Sequence, residues 1–149
     1  MIFPVILRIY DLSHGQAKIL SKTLLGVQVD GIWHTSVEVY GKEYYFQNGI
    51  IKSEPGKTHH GEPVITYDMG FTGIDEDSFN LYLESISYKY NTQSYNLFKN
   101  NCNHFSNDVT SFLVSKSIPD HILELPEIVI KSEFFNSFSK IFENKRNDI

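Results

Sequence analysis

The chain has 149 residues, of which 41% are hydrophobic, 14% aromatic and 21% charged, proportions that fit one globular domain with a hydrophobic core. A net charge of −5 without a basic stripe argues against a nucleic-acid-binding protein, and the single cysteine excludes an intrachain disulfide. The first apolar run is broken by Arg8, so we expect neither a secretion signal nor stable membrane insertion. A cytoplasmic protein, present in the nucleus as well, is the default expectation.

The first half of the chain alternates strand and turn patterns. Residues 5–10 are apolar and β-branched, which predicts a strand, and residues 17–25 have helical spacing that ends at Gly26. Residues 32–40 form the clearest strand pattern, and a turn at Gly41-Lys42 joins them to a strand over 43–47. Alternation then predicts that His34 and Trp33 point to opposite faces of the sheet.

The second half is richer in helical patterns. Residues 50–63 contain two prolines and two glycines, which predicts a long and functional loop. A strand follows over 64–71, and helices are predicted over 75–90, 102–114, 120–125 and 132–143. The fold class is therefore α+β, a small and largely antiparallel sheet with packed helices. We divide the chain into a domain over 1–130 and an amphipathic helical tail over 131–149.

Cys102 is the candidate with the clearest chemistry. Asn101 is a good helix N-cap, so the sulfur is expected in the first turn of a helix, where free N–H groups favour negative charge. That placement predicts a lowered thiol pKa, and the backbone N–H of Cys102 is a candidate oxyanion donor. The alternative is that a lone cysteine is simply a small buried hydrophobic residue.

A nucleophilic thiol needs a base, and the chain has six histidines. His34 is the best candidate, because it lies on a predicted strand with small neighbours that leave space around its ring. His59 and His60 fall in the loop and are expected to be solvated, and His104 is expected to point away from Cys102. The alternative for His34 is a half-buried strand histidine. The spacings match no zinc site, so we expect no metal and no other cofactor.

Three segments together resemble a known family. Residues 31–36 (GIWHTS), 95–98 (YNLF) and 101–106 (NCNHFS), preceded by 10–13 (YDLS), are similar to the PPPDE family, whose members include the desumoylating isopeptidases. The resemblance covers roughly residues 4 to 130. It implies a circularly permuted papain-like cysteine peptidase fold, in which the histidine precedes the cysteine.

The same resemblance implies an activity. It assigns Cys102 as nucleophile and His34 as base in the cleavage of an isopeptide bond between a ubiquitin-like modifier, SUMO first, and a substrate lysine. It also implies a homodimer with the active site in a groove between subunits. Papain-type enzymes add a residue that orients the histidine, and Tyr45 and Gln47 are the candidates here. Trp33 is interpreted as a scaffold residue, and the 50–63 loop as a contact for the modifier.

Two other functions stay open at this point. The string Asn101-Cys102-x-His104 also resembles the cysteine block of lecithin–retinol acyltransferase relatives, so a thioesterase, S-depalmitoylase or lipid acyl hydrolase using the same dyad is one alternative. A non-catalytic binding module is the other, although the presence of both His34 and Cys102 argues against it.

Overall fold

The computed structural model describes residues 1–126 and has an α+β architecture built on one antiparallel sheet. The strands are β1 (Phe3–Asp11), β2 (Trp33–Val39), β3 (Lys42–Gln47), β4 (Gly49–Ser53) and β5 (Ile65–Thr72), in the order β4-β3-β2-β1-β5. The helices are α1 (Gln16–Leu25), α2 (Glu76–Ile86), α3 (Cys102–Val114) and α4 (Asp120–Leu123). The predicted tail helix and the domain boundary near residue 130 lie outside the described residues.

The predicted hairpin between β2 and β3 is confirmed. Val39 pairs with Lys42, so Tyr40 and Gly41 form the turn, one residue earlier than the pattern indicates. Both have positive φ, 55° and 69°, as a two-residue hairpin turn of this type requires. Glycine adopts such a φ without a steric cost.

The prediction of one long loop over 50–63 is wrong at its beginning. Residues Gly49–Ser53 form β4, which pairs antiparallel with β3. Ile50 and Ile51 are β-branched and extend the hairpin directly after a tight turn at Asn48. The proline and glycine content of the following residues had hidden this short strand, and the true loop covers residues 54–64.

Helices α2 and α3 pack on one face of the sheet. Alternate residues of β1, β2 and β3 point into this core together with Phe79 of α2 and Phe105 of α3, and the buried members from the strands are Val5, Leu7, Ile9, Val37, Val39, Tyr44 and Phe46. The apolar residues of α2 and α3, Phe79 and Phe105 among them, therefore face the sheet. The predicted C-terminal end of α2 is wrong, because the helix ends at Ile86 and turns cover the residues to 90.

The other face of the sheet carries a buried carboxylate. Glu43 is 0% exposed and accepts hydrogen bonds from the hydroxyls of Tyr10, at 2.6 Å, and Ser36. Its second oxygen accepts the backbone N–H of Gly56 at 3.0 Å, and Arg8 Nε lies 3.9 Å away. A buried carboxylate is tolerated only with such partners. Glu43 therefore anchors the 54–64 loop on the face opposite to the helices.

We expect the substitution Glu43→Ala to lower the free energy of unfolding by about 3 kcal/mol, because it leaves three donors without their acceptor. Urea denaturation followed by circular dichroism measures the change. Glu54→Ala is the matched control, since Glu54 is an exposed carboxylate on the same loop and its loss is expected to cost less than about 0.5 kcal/mol. Equal losses in the two variants would contradict the anchoring role.

Candidate active site

Helix α3 begins at Cys102, as the sequence predicts, and its first turn is capped. The side chain of Asn101 accepts the backbone N–H groups of Asn103, at 2.8 Å, and His104, at 3.3 Å. His104 Nδ1 in turn accepts the backbone N–H of Asn101 at 3.0 Å, which completes a capping box. His104 therefore fixes the start of the helix.

Asn103 joins the start of α3 to the start of β2. Its Nδ2 donates to the carbonyl oxygen of Trp33 at 3.0 Å, and its Oδ1 accepts the hydroxyl of Thr35 at 2.8 Å. These bonds connect residues that lie 70 and 68 positions apart in the chain. The two sequence blocks that carry His34 and Cys102 are thus adjacent in the fold.

The sulfur of Cys102 lies beside a free stretch of β2. This strand pairs with β1 from Trp33 to Glu38 but with β3 only at Val37, Glu38 and Val39. The backbone N–H of Thr35 and the side chain of Tyr95 lie near enough to the thiol to act on its pKa, which both lower. Because backbone N–H groups point along the plane of a sheet, the sulfur lies at the edge of β2 that β3 leaves open.

The thiol is 4% exposed, and burial is the largest influence on its ionisation. Desolvation raises the pKa of the Cys102 thiol to about 11, although the backbone N–H groups of Thr35, Cys102 and Asn103 act to lower it. The expectation of a lowered pKa is wrong for this structure. The helix start is where the sequence places it, but removal of water outweighs the N–H groups.

His34 is buried on the opposite face of β2 from the Thr35 side chain and is 3% exposed. Its ring stacks on His60 at 3.7 Å and meets Tyr45 edge-on at 5.5 Å and Tyr10 at 5.6 Å. The predictions of open space around His34 and of a solvated His60 are therefore wrong, because the 54–64 loop folds onto this face. His59 is exposed, as predicted.

The histidine stack favours neutral rings. Desolvation, followed by the charges of His60 and His59, holds the pKa of His34 well below its usual 6.5. Burial likewise lowers the pKa of His60 to about 3. In this structure the thiol of Cys102 donates to Asn103 Oδ1 at 3.6 Å, and no hydrogen bond joins it to His34 among the described residues. Asn103, next to Cys102, is hydrogen-bonded to Trp33 and Thr35 on either side of His34, whereas Cys102 and His34 are not bonded to each other.

Both candidates for an orienting residue lie on the His34 face. Tyr45 contacts the His34 ring, and Gln47 is buried two residues further along β3. The side-chain oxygen of Gln47 has no hydrogen-bond partner among the described residues, and neither has Nε2 of His34.

Cys102 opens on its other side to a mostly apolar pocket. The lining residues are Leu12, Ile32, Trp33, Tyr95, Leu97, Phe98, Asn101, Cys102, Asn103, Leu125 and Pro126. Trp33 is therefore a wall of the pocket, which corrects its interpretation as scaffold alone. Its indole lies over Gly31, where an added Cβ would meet the ring at 2.3 Å. Pattern analysis missed this role because the pocket is closed by segments distant in sequence, namely Leu12, the 95–98 turn and residues 125–126.

The 54–64 loop covers His34 and is not part of the pocket, so the predicted contact between this loop and the modifier stays untested. Within residues 1–126, no group of three or more His, Cys, Asp or Glu side chains is arranged to hold a metal ion. None of the helices in the described part of the chain has the length and apolar character needed to cross a membrane.

Comparison with known proteins identifies the family of the chain. Residues 3–142 match the family described as "PPPDE putative peptidase domain". The chain belongs to the PPPDE peptidase family. It is 41% identical to Desumoylating isopeptidase 1 of Homo sapiens over 96% of this chain and 86% of that protein. It is 43% identical to Desumoylating isopeptidase 1 of Xenopus laevis, over 85% and 76%. A DeSI-like protein of Arabidopsis thaliana is 30% identical over 84% of this chain and 56% of its own length. The protein is a hydrolase of the peptidase and isopeptidase class.

We expect Cys102 of this PPPDE peptidase to react with iodoacetamide more slowly at pH 7 than the same cysteine in urea-unfolded protein. The thiolate is the reactive form, and a pKa of about 11 leaves less of it at neutral pH than an ordinary thiol has. The labelling rate of the folded protein should keep rising beyond pH 9. Samples quenched at successive times and analysed by mass spectrometry give this rate. Fast labelling at pH 6 would instead indicate a preformed ion pair.

We expect Gly31→Ala to displace the Trp33 indole, because the new Cβ cannot occupy a position 2.3 Å from the ring. Trp33 is the single tryptophan, so its fluorescence emission reports the movement directly. The matched control is Gly73→Ala, since an added Cβ there meets no atom within 4 Å. An unchanged emission spectrum in Gly31→Ala would contradict the role of Gly31 in shaping the pocket.

Proposed function

We propose that the chain removes a SUMO-type modifier from lysine side chains, with Cys102 as nucleophile and His34 as general base. The observation that supports this most directly is the position of Cys102, which heads α3 beside the His34 segment and opens to a pocket. The relatives named Desumoylating isopeptidase 1, which match most of the chain, support SUMO as the modifier.

The first step is attack on the isopeptide carbonyl. Because both side chains are neutral at rest, His34 takes the proton from the thiol as the sulfur bonds to the carbonyl carbon. The imidazole has to approach the sulfur for this transfer, and catalytic hydrogen bonds commonly tighten only when substrate is bound. The backbone N–H of Cys102 stabilises the oxyanion that forms.

The second half of the reaction releases both products. The imidazolium of His34 gives its proton to the lysine amine as the carbon–nitrogen bond breaks, which leaves a thioester on Cys102. Water then attacks the thioester and gives a proton to His34. The imidazolium passes this proton to the sulfur as the carbon–sulfur bond breaks, and the modifier leaves with a free carboxyl group. The sum is hydrolysis of one isopeptide bond by one water molecule. Every step uses side chains and backbone groups of this chain.

A second candidate reaction is hydrolysis of a lipid thioester. The walls of the pocket beside Cys102 are mainly aliphatic and aromatic, among them Leu12, Ile32, Trp33 and Leu125. An acyl chain would bury its methylene groups against such walls at a gain of about 0.8 kcal/mol each. A diglycine tail, by contrast, needs backbone hydrogen bonds, so the two substrates place different demands on the same pocket.

The homodimer implied by the resemblance is part of this proposal, and sedimentation of the purified full chain measures it. We expect a dimer at micromolar concentration, because the family resemblance implies an active-site groove between two subunits. A monomer under the same conditions would remove the dimer from the proposal.

We expect Cys102→Ala and His34→Ala each to reduce hydrolysis of a SUMO–lysine conjugate by more than about 1,000-fold, because each removes a reacting group. His14→Asn is the control, since His14 is exposed and asparagine tolerates its positive φ of 51°. Folding of each variant is checked by circular dichroism. Wild-type activity in either Cys102→Ala or His34→Ala would refute the dyad.

A palmitoyl thioester assayed beside SUMO, ubiquitin and NEDD-type conjugates separates the two candidate reactions. The ratio of kcat/KM values decides between them, and the Cys102→Ala protein supplies the background for every substrate. The isopeptidase proposal expects a SUMO conjugate to be preferred. Preference for the acyl thioester would replace it with the second candidate.

A further inference from the structure

Four buried side-chain atoms have no hydrogen-bond partner among the described residues. They are His34 Nε2, Tyr44 OH, Gln47 Oε1 and Ser106 Oγ. Such atoms are uncommon in folded proteins, since each forgoes the hydrogen bonds that it makes in water. Tyr44 belongs to the core face, where its ring meets Phe79 edge-on. His34 and Gln47 both lie on the opposite face. Nε2 of His34 can donate or accept a hydrogen bond, whereas Oε1 of Gln47 can only accept one.

The strands place His34 and Gln47 on the same face of the sheet. β2 pairs with β3 at Val37, Glu38 and Val39, and alternation from these pairs turns both His34 and Gln47 away from the helix-covered core. The Tyr45 ring, two residues before Gln47 on this face, lies 5.5 Å from the His34 ring. Both His34 and Gln47 are buried, so this shared contact with the Tyr45 segment puts the amide and the imidazole in one enclosed region of the protein.

Two neighbouring polar side chains on this face have partners of their own. Glu43 accepts from Tyr10, Ser36 and Gly56. His60 Nδ1 lies 3.3 Å from Thr58 Oγ1, within hydrogen-bond distance. Apart from His34 Nε2 itself, the Gln47 carbonyl oxygen is the fully buried side-chain atom on this face that has no hydrogen-bond partner among the described residues.

We propose that Gln47 is a positioning residue, which accepts a hydrogen bond from Nε2–H of His34 and so holds the imidazole in the Nε2–H tautomer. The proposal rests on the assignment of His34 as the base. In this tautomer Nδ1 carries the lone pair, and the thiol proton of Cys102 passes to it as the sulfur attacks. The Nε2 proton stays in place throughout, so atoms and charge balance.

The hydrogen bond also changes the strength of the base. Once His34 becomes an imidazolium, its N–H donates to Gln47 as a charge-assisted bond, which is stronger than the neutral one. Gln47 therefore stabilises the protonated ring more than the neutral ring, and it raises the pKa of His34 relative to a chain without this acceptor. It opposes burial and the His59 and His60 rings, which lower that pKa. Tyr10 and Tyr45 are the other titratable groups in contact with the ring.

The test compares Gln47→Leu with wild type in two measurements. Long-range ¹⁵N–¹H spectra of histidine-labelled protein report the His34 tautomer, and the Nε2–H form is expected in wild type and a mixture in Gln47→Leu. The pH profile of kcat/KM on a SUMO conjugate should show its acidic limb moved to lower pH in the variant, with kcat reduced about tenfold. Gln47→Glu keeps the acceptor and adds negative charge, so its acidic limb should move to higher pH.

Tyr44→Phe is the matched control, because it also deletes an unpaired buried polar atom but on the core face. It is expected to leave tautomer and pH profile unchanged. The same tautomer and acidic limb in Gln47→Leu as in wild type would overturn the positioning role, whatever happens to stability. The NMR measurement of the tautomer needs no substrate, so its result does not depend on activity. An inactive wild type or an active Cys102→Ala protein would refute the proposed function alone.

Discussion

The contact on which the site depends is the side chain of Asn103. It is buried and holds two parts of β2 at once, the carbonyl of Trp33 and the hydroxyl of Thr35. Because β2 lies between β1 and β3, this contact fixes the first turn of α3 relative to the sheet. Loss of the Asn103 amide would leave both β2 groups buried without a partner. The alignment of the thiol with the open edge of β2 follows from this one residue.

Burial of the site then determines the protonation states at rest. Desolvation favours the uncharged form of each group, so it raises the pKa of the thiol and lowers the pKa of the imidazole. In the proposed reaction, transfer of a proton from Cys102 to His34 is therefore uphill before substrate arrives. When transfer is coupled to attack, the sulfur becomes part of a carbon–sulfur bond and never has to exist as a buried free thiolate. A dry site thus favours general-base attack over a stored ion pair.

Local patterns in the sequence predicted much of this arrangement. Asn101 predicted the start of α3, alternation predicted that His34 and Trp33 face opposite sides, and Gly26 ends α1 as expected. These features depend on residues within one turn or one strand. The errors concern contacts between distant segments: the stacking of His60 on His34, the closure of the pocket by Leu125, and the desolvation of the thiol. β4 was missed because its two isoleucines stand directly before a proline-rich loop.

The division between the two faces of β2 has a functional consequence. Trp33 lines the pocket beside Cys102, whereas the next residue, His34, is enclosed by the loop that Glu43 anchors. Substitutions in the loop can therefore alter the basicity of His34 without changing the walls that a substrate meets. Substitutions at the pocket, in turn, leave the histidine stack intact. Since successive side chains of one strand supply both surfaces, the pocket wall and the histidine proposed as base are adjacent in sequence yet do not compete for the same space.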